Sequence, residues 1–226
     1  MRGNAKKALV ADRRRIIGAA GIALAQLAGV KLALAELLPT PAQMEGPFYP
    51  LTLPLDRDND LVTVEGRSGR AKGTILDVAG RILDTGGRPV AGVRIEIWQV
   101  NGFGRYHHPG DERDLPVDPN FQGFGATVSD AAGSYRFRTV KPVAYPGRAP
   151  HIHFALTGPN FGPFYTQMYV AGAPENAQDF LLRNVTDRKA RESLIVTLEP
   201  SPDAGSELAG RFDVVLGSAL LTRTKP

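Results

Sequence analysis

The stretch Val90-Ala91-Gly92-Val93-Arg94-Ile95-Glu96-Ile97-Trp98, followed later by Asp130-Ala131-Ala132-Gly133-Ser134-Tyr135-Arg136-Phe137, decides the fold. From Val93 onward apolar residues alternate with Arg94 and Glu96, the period of two that places successive side chains on opposite faces of a strand. Working outward, short runs of the same kind recur at Thr74–Val78, Val93–Val100, Tyr135–Val140, His151–Thr157, Thr166–Val170, Ile195–Leu198 and Arg211–Leu216. Turn signals separate them, among them Gly86-Gly87-Arg88-Pro89 and Ser129–Gly133. Regular strand spacing with Gly, Pro and Asp turns predicts an all-β fold, a sandwich or barrel, and we read it as a β-sandwich core. Only Ala177–Ala190 reads as much of a helix. Residues 36–72 are Pro-rich and irregular, as in Leu38-Pro39-Thr40-Pro41 and Gly46-Pro47-Phe48-Tyr49-Pro50, and predict an extended N-terminal arm laid over the domain of residues 73–226.

The chain has 226 residues and a formal charge of +4, which raises the question of a nucleic-acid partner. Seven of the 27 Lys and Arg lie in residues 1–35, against Asp12 alone, so the remainder carries 20 basic and 22 acidic residues. The basic character belongs to that segment and argues for no nucleic acid. It reads as an export signal of twin-arginine type: Asp12-Arg13-Arg14-Arg15, an apolar run from Ile16 to Val30, then Ala33-Leu34-Ala35 as a small-x-small cleavage site. The expectation is an exported, periplasmic or cell-envelope protein. A retained membrane anchor and an amphipathic helix of the folded protein are the alternatives for the apolar run, and membrane contact is expected only if the segment is retained. The absence of cysteine removes disulfides, thiolate ligands and cysteine nucleophiles together.

All four histidines fall in two pairs, His107-His108 and His151-Ile152-His153, each with a tyrosine nearby: Tyr106 directly, Tyr145 six residues before His151. On a strand His151 and His153 share a face, close enough to grip one ion. Two imidazoles and two phenolates form a hard N/O donor set that suits Fe(III) above other ions, whereas zinc more usually takes a third histidine, a carboxylate or a thiolate. A free phenol has a pKa near 10 and needs a strong Lewis acid beside it to ionise at neutral pH.

These residues resemble the intradiol ring-cleavage dioxygenases, especially the protocatechuate 3,4-dioxygenase type. The matching segments are Thr40–Tyr49, Ile95–Asn101 leading to Gly104-Arg105-Tyr106, Phe137–Pro142, and Tyr145 through Arg148 to His151-Ile152-His153-Phe154. The resemblance spans about Leu38 to Leu216. It implies that Tyr106, Tyr145, His151 and His153 bind non-haem Fe(III), that a catecholic substrate reacts with O2 to a cis,cis-muconate, and that Tyr145 leaves the metal and accepts a proton. Arg148 matches a family arginine beside the substrate, and Gln167 a family glutamine that orients the metal site. Tyr145, Arg148 and Gln167 are thus the expected catalytic residues. The family's protocatechuate enzymes pair unlike subunits, so a homo-oligomer or a partner subunit is expected. The chain departs from better-known members in the short loop Pro146–Pro150, which bears on which catechol it takes.

Other readings attach to the same residues. The strands around Val93 and Tyr135 also suit a non-catalytic transthyretin-like or carboxypeptidase-regulatory-like binding domain, and a His-x-His pair also suits a zinc hydrolase. Tyr49, Tyr135, Tyr165 and Tyr169 read as core or turn-capping residues, and Trp98 as buried core. His107 and His108 read as neighbours of Tyr106 or as solvent-facing. Asp111-Glu112-Arg113-Asp114 reads as a solvated loop, with Arg113 able to reach an anionic substrate. Gly102-Phe103-Gly104 predicts a tight turn that delivers Arg105 and Tyr106.

Overall fold

A computed structural model of the chain describes residues 36–222, so the export segment expected over residues 1–35 lies outside the described residues. The structure is mostly strand: β1 (Ile75–Asp84), β2 (Arg94–Trp98), β3 (Phe124–Val128), β4 (Ser134–Val140), β5 (His151–Gly158), β6 (Phe161–Val170), β7 (Ile195–Val196), β8 (Leu198–Pro200), β9 (Leu208–Arg211) and β10 (Val214–Leu216). Helices are single turns: α1 (Phe180–Arg183), α2 (Arg188–Glu192) and α3 (Ser218–Leu221), with a 3-10 turn at Pro174–Ala177. Among the described residues no helix is long and apolar enough to cross a membrane.

Two five-stranded mixed sheets result. In the first, β1 lies parallel to β9 and β10 and antiparallel to β4, while β8 extends the sheet beyond β9. The second has the order β3-β2-β5-β6-β7, antiparallel except for the last pair. The alternation read from the sequence sorts their side chains. Ile95, Ile97, Ile152, Phe154, Leu156 and Met168 of the second sheet join Val78, Ile82, Phe137 and Val214 of the first in one core. The Phe154 ring lies 5.0 Å from that of Phe212. Truncating a fully buried phenylalanine of this kind costs roughly 3–5 kcal/mol.

The opposite face of the second sheet carries Trp98, His151, His153, Ala155, Tyr165 and Gln167. Trp98, Val100, Tyr106, Phe124 and Ala155 form a second, smaller apolar cluster there, with Phe48 and Tyr49 packed on it. Residues 36–72 run across this region without a long element of their own. Gln43 N donates to Tyr165 O at 2.8 Å on the second sheet, and Thr40 N to Val215 O at 2.9 Å on the first. Further along, Leu61 and Val62 are fully buried and belong to the main core.

Several local expectations change. β3 had no distinct alternating signal, because Gly125 and Ala126 blur the pattern; it forms because β2 offers it a partner edge from Arg94↔Val128 to Trp98↔Phe124. The helix expected over Ala177–Ala190 breaks into α1 and α2, since both Asp179 and Asp187 cap new helix starts with their side chains. Ile195–Leu198 is not one strand. Thr197 separates β7, on the second sheet, from β8, on the first.

Candidate metal centre

His151 and His153 stand on β5 with the core residue Ile152 between them, so the period of two alone turns both imidazoles to the face opposite the core. Cross-strand register then builds a row across three strands, Trp98 opposite His153 and His153 opposite Gln167. The Trp98 indole lies flat against the His153 ring, with centroids 4.8 Å apart and planes 12° from parallel. Tyr106 arrives through the predicted turn: Gly104 has φ +91°, and Asn101 Oδ1 accepts from Phe103 N at 2.9 Å and Arg105 N at 3.1 Å. Tyr145 arrives through a second turn. Pro146 and Gly147, the latter at φ +79°, occupy its centre, and Arg148 N donates to Tyr145 O at 2.9 Å, as a type II turn requires.

Four donor atoms converge. His151 Nε2 lies 3.1 Å from His153 Nε2, 3.5 Å from Tyr106 Oη and 3.4 Å from Tyr145 Oη. Tyr106 Oη lies 3.1 Å from His153 Nε2 and 3.4 Å from Tyr145 Oη. A regular tetrahedron with edges in this range encloses a point about 2 Å from each corner, which is a first-row metal's bond length to imidazole or oxygen. His151 Nδ1 faces Ala149 O at 2.6 Å and must donate to it, which leaves the Nε2 lone pair aimed into the cluster. Burial pushes the His151 imidazole down to about 3, and His153, pushed down by burial and then by His151, lies well below its usual value as well. Both rings are therefore neutral. Two neutral imidazoles presenting nitrogens 3.1 Å apart is an arrangement that a cation between them turns from repulsion into ligation.

Burial first, and the neighbouring Tyr145 second, push the Tyr106 phenol far up from its usual value, so that it ionises only beside a cation. Among the described residues no group of three or more His, Cys, Asp and Glu could hold a metal, so a metal here depends on the phenols to complete the set. The donors thus fit a hard trivalent ion better than zinc.

Around the donors lies a layer of oriented polar groups. Arg148 donates through Nε to Asp179 Oδ2 at 2.8 Å, and through one terminal nitrogen to Gln167 Oε1 at 2.5 Å and Tyr169 Oη at 3.3 Å. Tyr169 Oη also donates to Gln43 Oε1 at 3.1 Å, and Gln167 Nε2 to Met44 O at 3.3 Å, which ties residues 43–44 of the arm to the site. Gly46, at φ +80°, passes so close that a Cβ there would sit 3.3 Å from the His153 ring. Asp111 is buried and accepts from Tyr106 N at 2.7 Å while pairing with Arg113, whose guanidinium lies 4.6 Å above the Tyr145 ring.

The structure therefore brings together all six residues singled out in the sequence: Tyr106, Tyr145, Arg148, His151, His153 and Gln167. It places His107 and His108 outside the donor set. His107 packs on Phe121, and His108 Nδ1 accepts from Gly110 N at 3.0 Å. Two readings need correction, and one residue was missed. Asp111 is not part of a solvated loop, because it supports Tyr106. Tyr169 is more than a core residue, since its hydroxyl meets Gln43, Arg148 and Gln167. Asp179 was passed over; its one local signal was its place before Phe180-Leu181-Leu182, a helix start.

A cleft of about 520 Å³ opens onto the cluster, lined by Phe48, Gly110, Asp111, Glu112, Arg113, Tyr145 and Pro146. Phe48 stacks on Tyr106 with ring centroids 4.6 Å apart. Tyr106 is 3% exposed, whereas Tyr145 is half-buried at the wall of the cleft. A larger cleft of about 680 Å³, around Leu55 and Val117, touches none of the four donors.

Comparison with known proteins gives a consistent picture. Residues 44–218 match the family model described as Dioxygenase. The protocatechuate 3,4-dioxygenase beta chain of Burkholderia cepacia is 43% identical over 168 residues, covering 70% of this chain and 71% of that protein. The hydroxyquinol 1,2-dioxygenase of Rhizobium sp. (strain MTP-10005) is 30% identical over 177 residues, 70% of this chain and 55% of that protein. The catechol 1,2-dioxygenase of Candida albicans is 26% identical over 157 residues, 62% and 48% respectively. The chain thus spans about half the length of the catechol and hydroxyquinol relatives. Among solved structures, the dioxygenase domain of a dioxygenase carbohydrate-binding protein fusion from Streptomyces sp. SirexAA-E superposes with a TM-score of 0.61 at 32% identity, covering 79% of this chain and 98% of that one. An intradiol ring-cleavage dioxygenase from Tetranychus urticae gives 0.61 at 21% identity, with 80% and 95% coverage, and supports the fold alone.

Proposed function

The chain belongs to the intradiol ring-cleavage dioxygenase family, and from that premise we propose that Tyr106, Tyr145, His151 and His153 hold a non-haem Fe(III) ion on a β-sandwich frame. It is an enzyme that opens a catecholic ring with O2, between the two hydroxylated carbons, to a cis,cis-muconate-type product. The observation that carries this reading is the convergence of two phenol oxygens and two imidazole nitrogens at separations of 3.1–3.5 Å. A passive binding domain has no use for four such donors, three of them buried, aimed at one point.

Ferric iron, when bound, supplies the Lewis acidity that lets phenols and catechol hydroxyls ionise at neutral pH and the electron-accepting partner that reaction with O2 requires. The chain's own residues do the rest. Tyr145, at the cleft wall, is the phenol with room to swing outward and take a proton from an incoming catechol, while the buried Tyr106 stays in place. Arg148 presents a fixed positive charge beside the cluster, where anionic character builds up on the ring. Gln167 anchors Arg148, and Trp98 and Phe48 close the apolar walls against the rings of His153 and Tyr106. Such walls exclude water and strengthen every charge interaction inside.

The substrate is proposed at the level of catecholic rings. A panel of catechol, protocatechuate and hydroxyquinol, followed by ultraviolet detection of muconate products, assigns it. The iron-loaded protein is expected to be burgundy from tyrosinate-to-iron charge transfer; an iron-loaded protein that cleaves none of the three would sink the reading. We also propose that residues 1–35 export the chain by the twin-arginine route. Changing Arg13, Arg14 and Arg15 together to Lys should trap it in the cytoplasm, and normal export would argue against that route. Whether it assembles with itself or with a partner subunit is read from the native mass of the purified protein.

A further inference from the structure

We propose that Asp179 is a positioning residue that holds Arg148, and through the backbone of Ala149 the imidazole of His151, in their working orientations. The inference rests on the ring-cleavage reading of the site.

Asp179 contacts none of the four donors, and its side chain is fully buried. Its two oxygens face different ways. Oδ1 accepts from Leu181 N and Leu182 N, both at 3.0 Å, which is an ordinary helix cap for α1. Oδ2 is not needed for that cap. It accepts from Arg148 Nε at 2.8 Å and from Ala149 N at 2.9 Å, on the segment that leads into β5. Ala149 is consequently held on both sides of its Cα: its N–H, in the peptide from Arg148, by Asp179, and its C=O, in the next peptide, by His151 Nδ1–H at 2.6 Å. One carboxylate thereby sets the direction of a cation and, one peptide further on, of a ligand imidazole.

Arg148 depends on this grip. Its side chain is 10% exposed, and Asp179 is its anionic partner among the described residues, with Gln167 and Tyr169 holding the other end of the guanidinium and the Phe180 ring 5.6 Å from it. A planar fork held at several points cannot rotate. Without the carboxylate one side of the fork is loose, and a buried cation turns toward any other acceptor, the donor oxygens included. The carboxylate therefore keeps Arg148 beside the cluster and out of it.

The test is Asp179→Asn, made in the wild-type and the Arg148→Ala backgrounds. Asparagine caps a helix as well as aspartate does, so α1 is kept through Oδ1; what is lost is the negative charge facing Arg148 and, with an NH2 in place of Oδ2, the acceptor for Arg148 Nε–H and Ala149 N–H. In the wild-type background kcat should fall about 10–100-fold, the usual cost of losing a group that orients a metal site, with a smaller change in KM. In the Arg148→Ala background the same substitution should cost less than about twofold in kcat per bound iron, because the share of the loss that runs through Arg148 is already gone. Release of iron to a chelator should accelerate in both backgrounds, since the path through Ala149 to His151 does not involve Arg148. In the metal-free protein the Arg148 Nε–H resonance should be protected from exchange, and this protection should vanish in Asp179→Asn.

An equal kcat loss in both backgrounds, or wild-type kcat and iron release in Asp179→Asn, overturns the proposal. If the wild-type protein holds no iron or cleaves no catechol, the ring-cleavage reading is what fails, and the Arg148 Nε–H signal of the metal-free protein decides the positioning by itself. Should Asp179→Asn not fold, Asp179→Glu keeps the charge: Nε–H protection should survive with kcat within about tenfold of wild type, and loss of both counts against the proposal.

Discussion

Tyr106 and Tyr145 are chemically the same and differ in what the chain packs around them. Tyr106 is buried under Phe48 with its backbone N–H fixed by Asp111, while Tyr145 stands at the cleft with Arg113 over its ring. A phenol that must move needs free space on one side, and Tyr145, half-buried at the wall of the cleft, has more of it than Tyr106 at 3% exposure. Tyr145→Phe should therefore retain iron on the remaining donors but slow catechol binding, by about tenfold or more if it carries the proton, in stopped-flow traces of the charge-transfer band; unchanged binding kinetics would remove it from that role. Trp98 shows how a residue can be core and site together. It is 1% exposed, yet its indole is the flat wall against His153. Trp98→Ala should lower stability by roughly 3–5 kcal/mol in a denaturant titration and should also speed iron release, whereas a purely core role predicts the first effect without the second.

At the scale of elements, two turns decide whether the donors meet. The Tyr145–Arg148 stretch reads in the sequence only as part of a short loop, although Pro followed by Gly at its centre is a type II signature. The Gly102-Phe103-Gly104 turn was legible, but the reason for its first glycine was not. A Cβ on Gly102 would fall 2.3 Å from Lys72 O and 3.2 Å from Gly73 Cα, both backbone, so the end of the arm presses directly on the turn that carries Tyr106. Gly102→Ala must push these segments apart. A loss of more than 2 kcal/mol is expected, roughly the upper range for single substitutions, with weaker iron retention; a melting curve and iron content like wild type would contradict that close approach. The strands were legible where polar and apolar residues alternate, as in β2 and β5. They were not legible in β3, where Gly125 carries no side chain and pairing with β2 supplies the reason for an extended backbone.

For the whole molecule, the second sheet has two buried faces with different tasks: one completes the core with the first sheet, the other carries the donors beneath the arm and loops. Carboxylates held by several donors make this arrangement acid-sensitive. Amide and guanidinium donors from Arg88 hold Asp84 below its usual value. Burial pushes Asp179 up, but the hydrogen bonds from Leu182, Ala149 and Arg148 outweigh it and leave that carboxyl lowered as well. With folded values below the unfolded ones, the unfolded chain binds more protons in acid, so this stability is full above the usual carboxylate range and is lost as pH falls through the folded values. The melting temperature should accordingly drop between pH 5 and pH 3, and Asp84→Asn together with Asp179→Asn should flatten that dependence; an unchanged slope would show that these two carboxylates do not set it.

By itself the sequence determined the strand periods of β2 and β5, the Gly102–Gly104 turn and the donor types, because alternation, glycine's freedom in turns and the hardness of imidazole and phenolate are properties of residues and their near neighbours. It also named the six residues that the fold brings together, without showing how they are held. What only the tertiary structure decided was the company they keep: Trp98 against His153, Asp111 behind Tyr106, the arm at Gly46, and Asp179 behind Arg148 and Ala149. The separation along the chain is the reason. Asp179 lies 31 residues from Arg148, and Gln43 lies 126 from Tyr169. No local pattern encodes such pairings. They exist because two sheets must bury their apolar faces, and closing that core brings the remaining face, with its polar groups, under the arm.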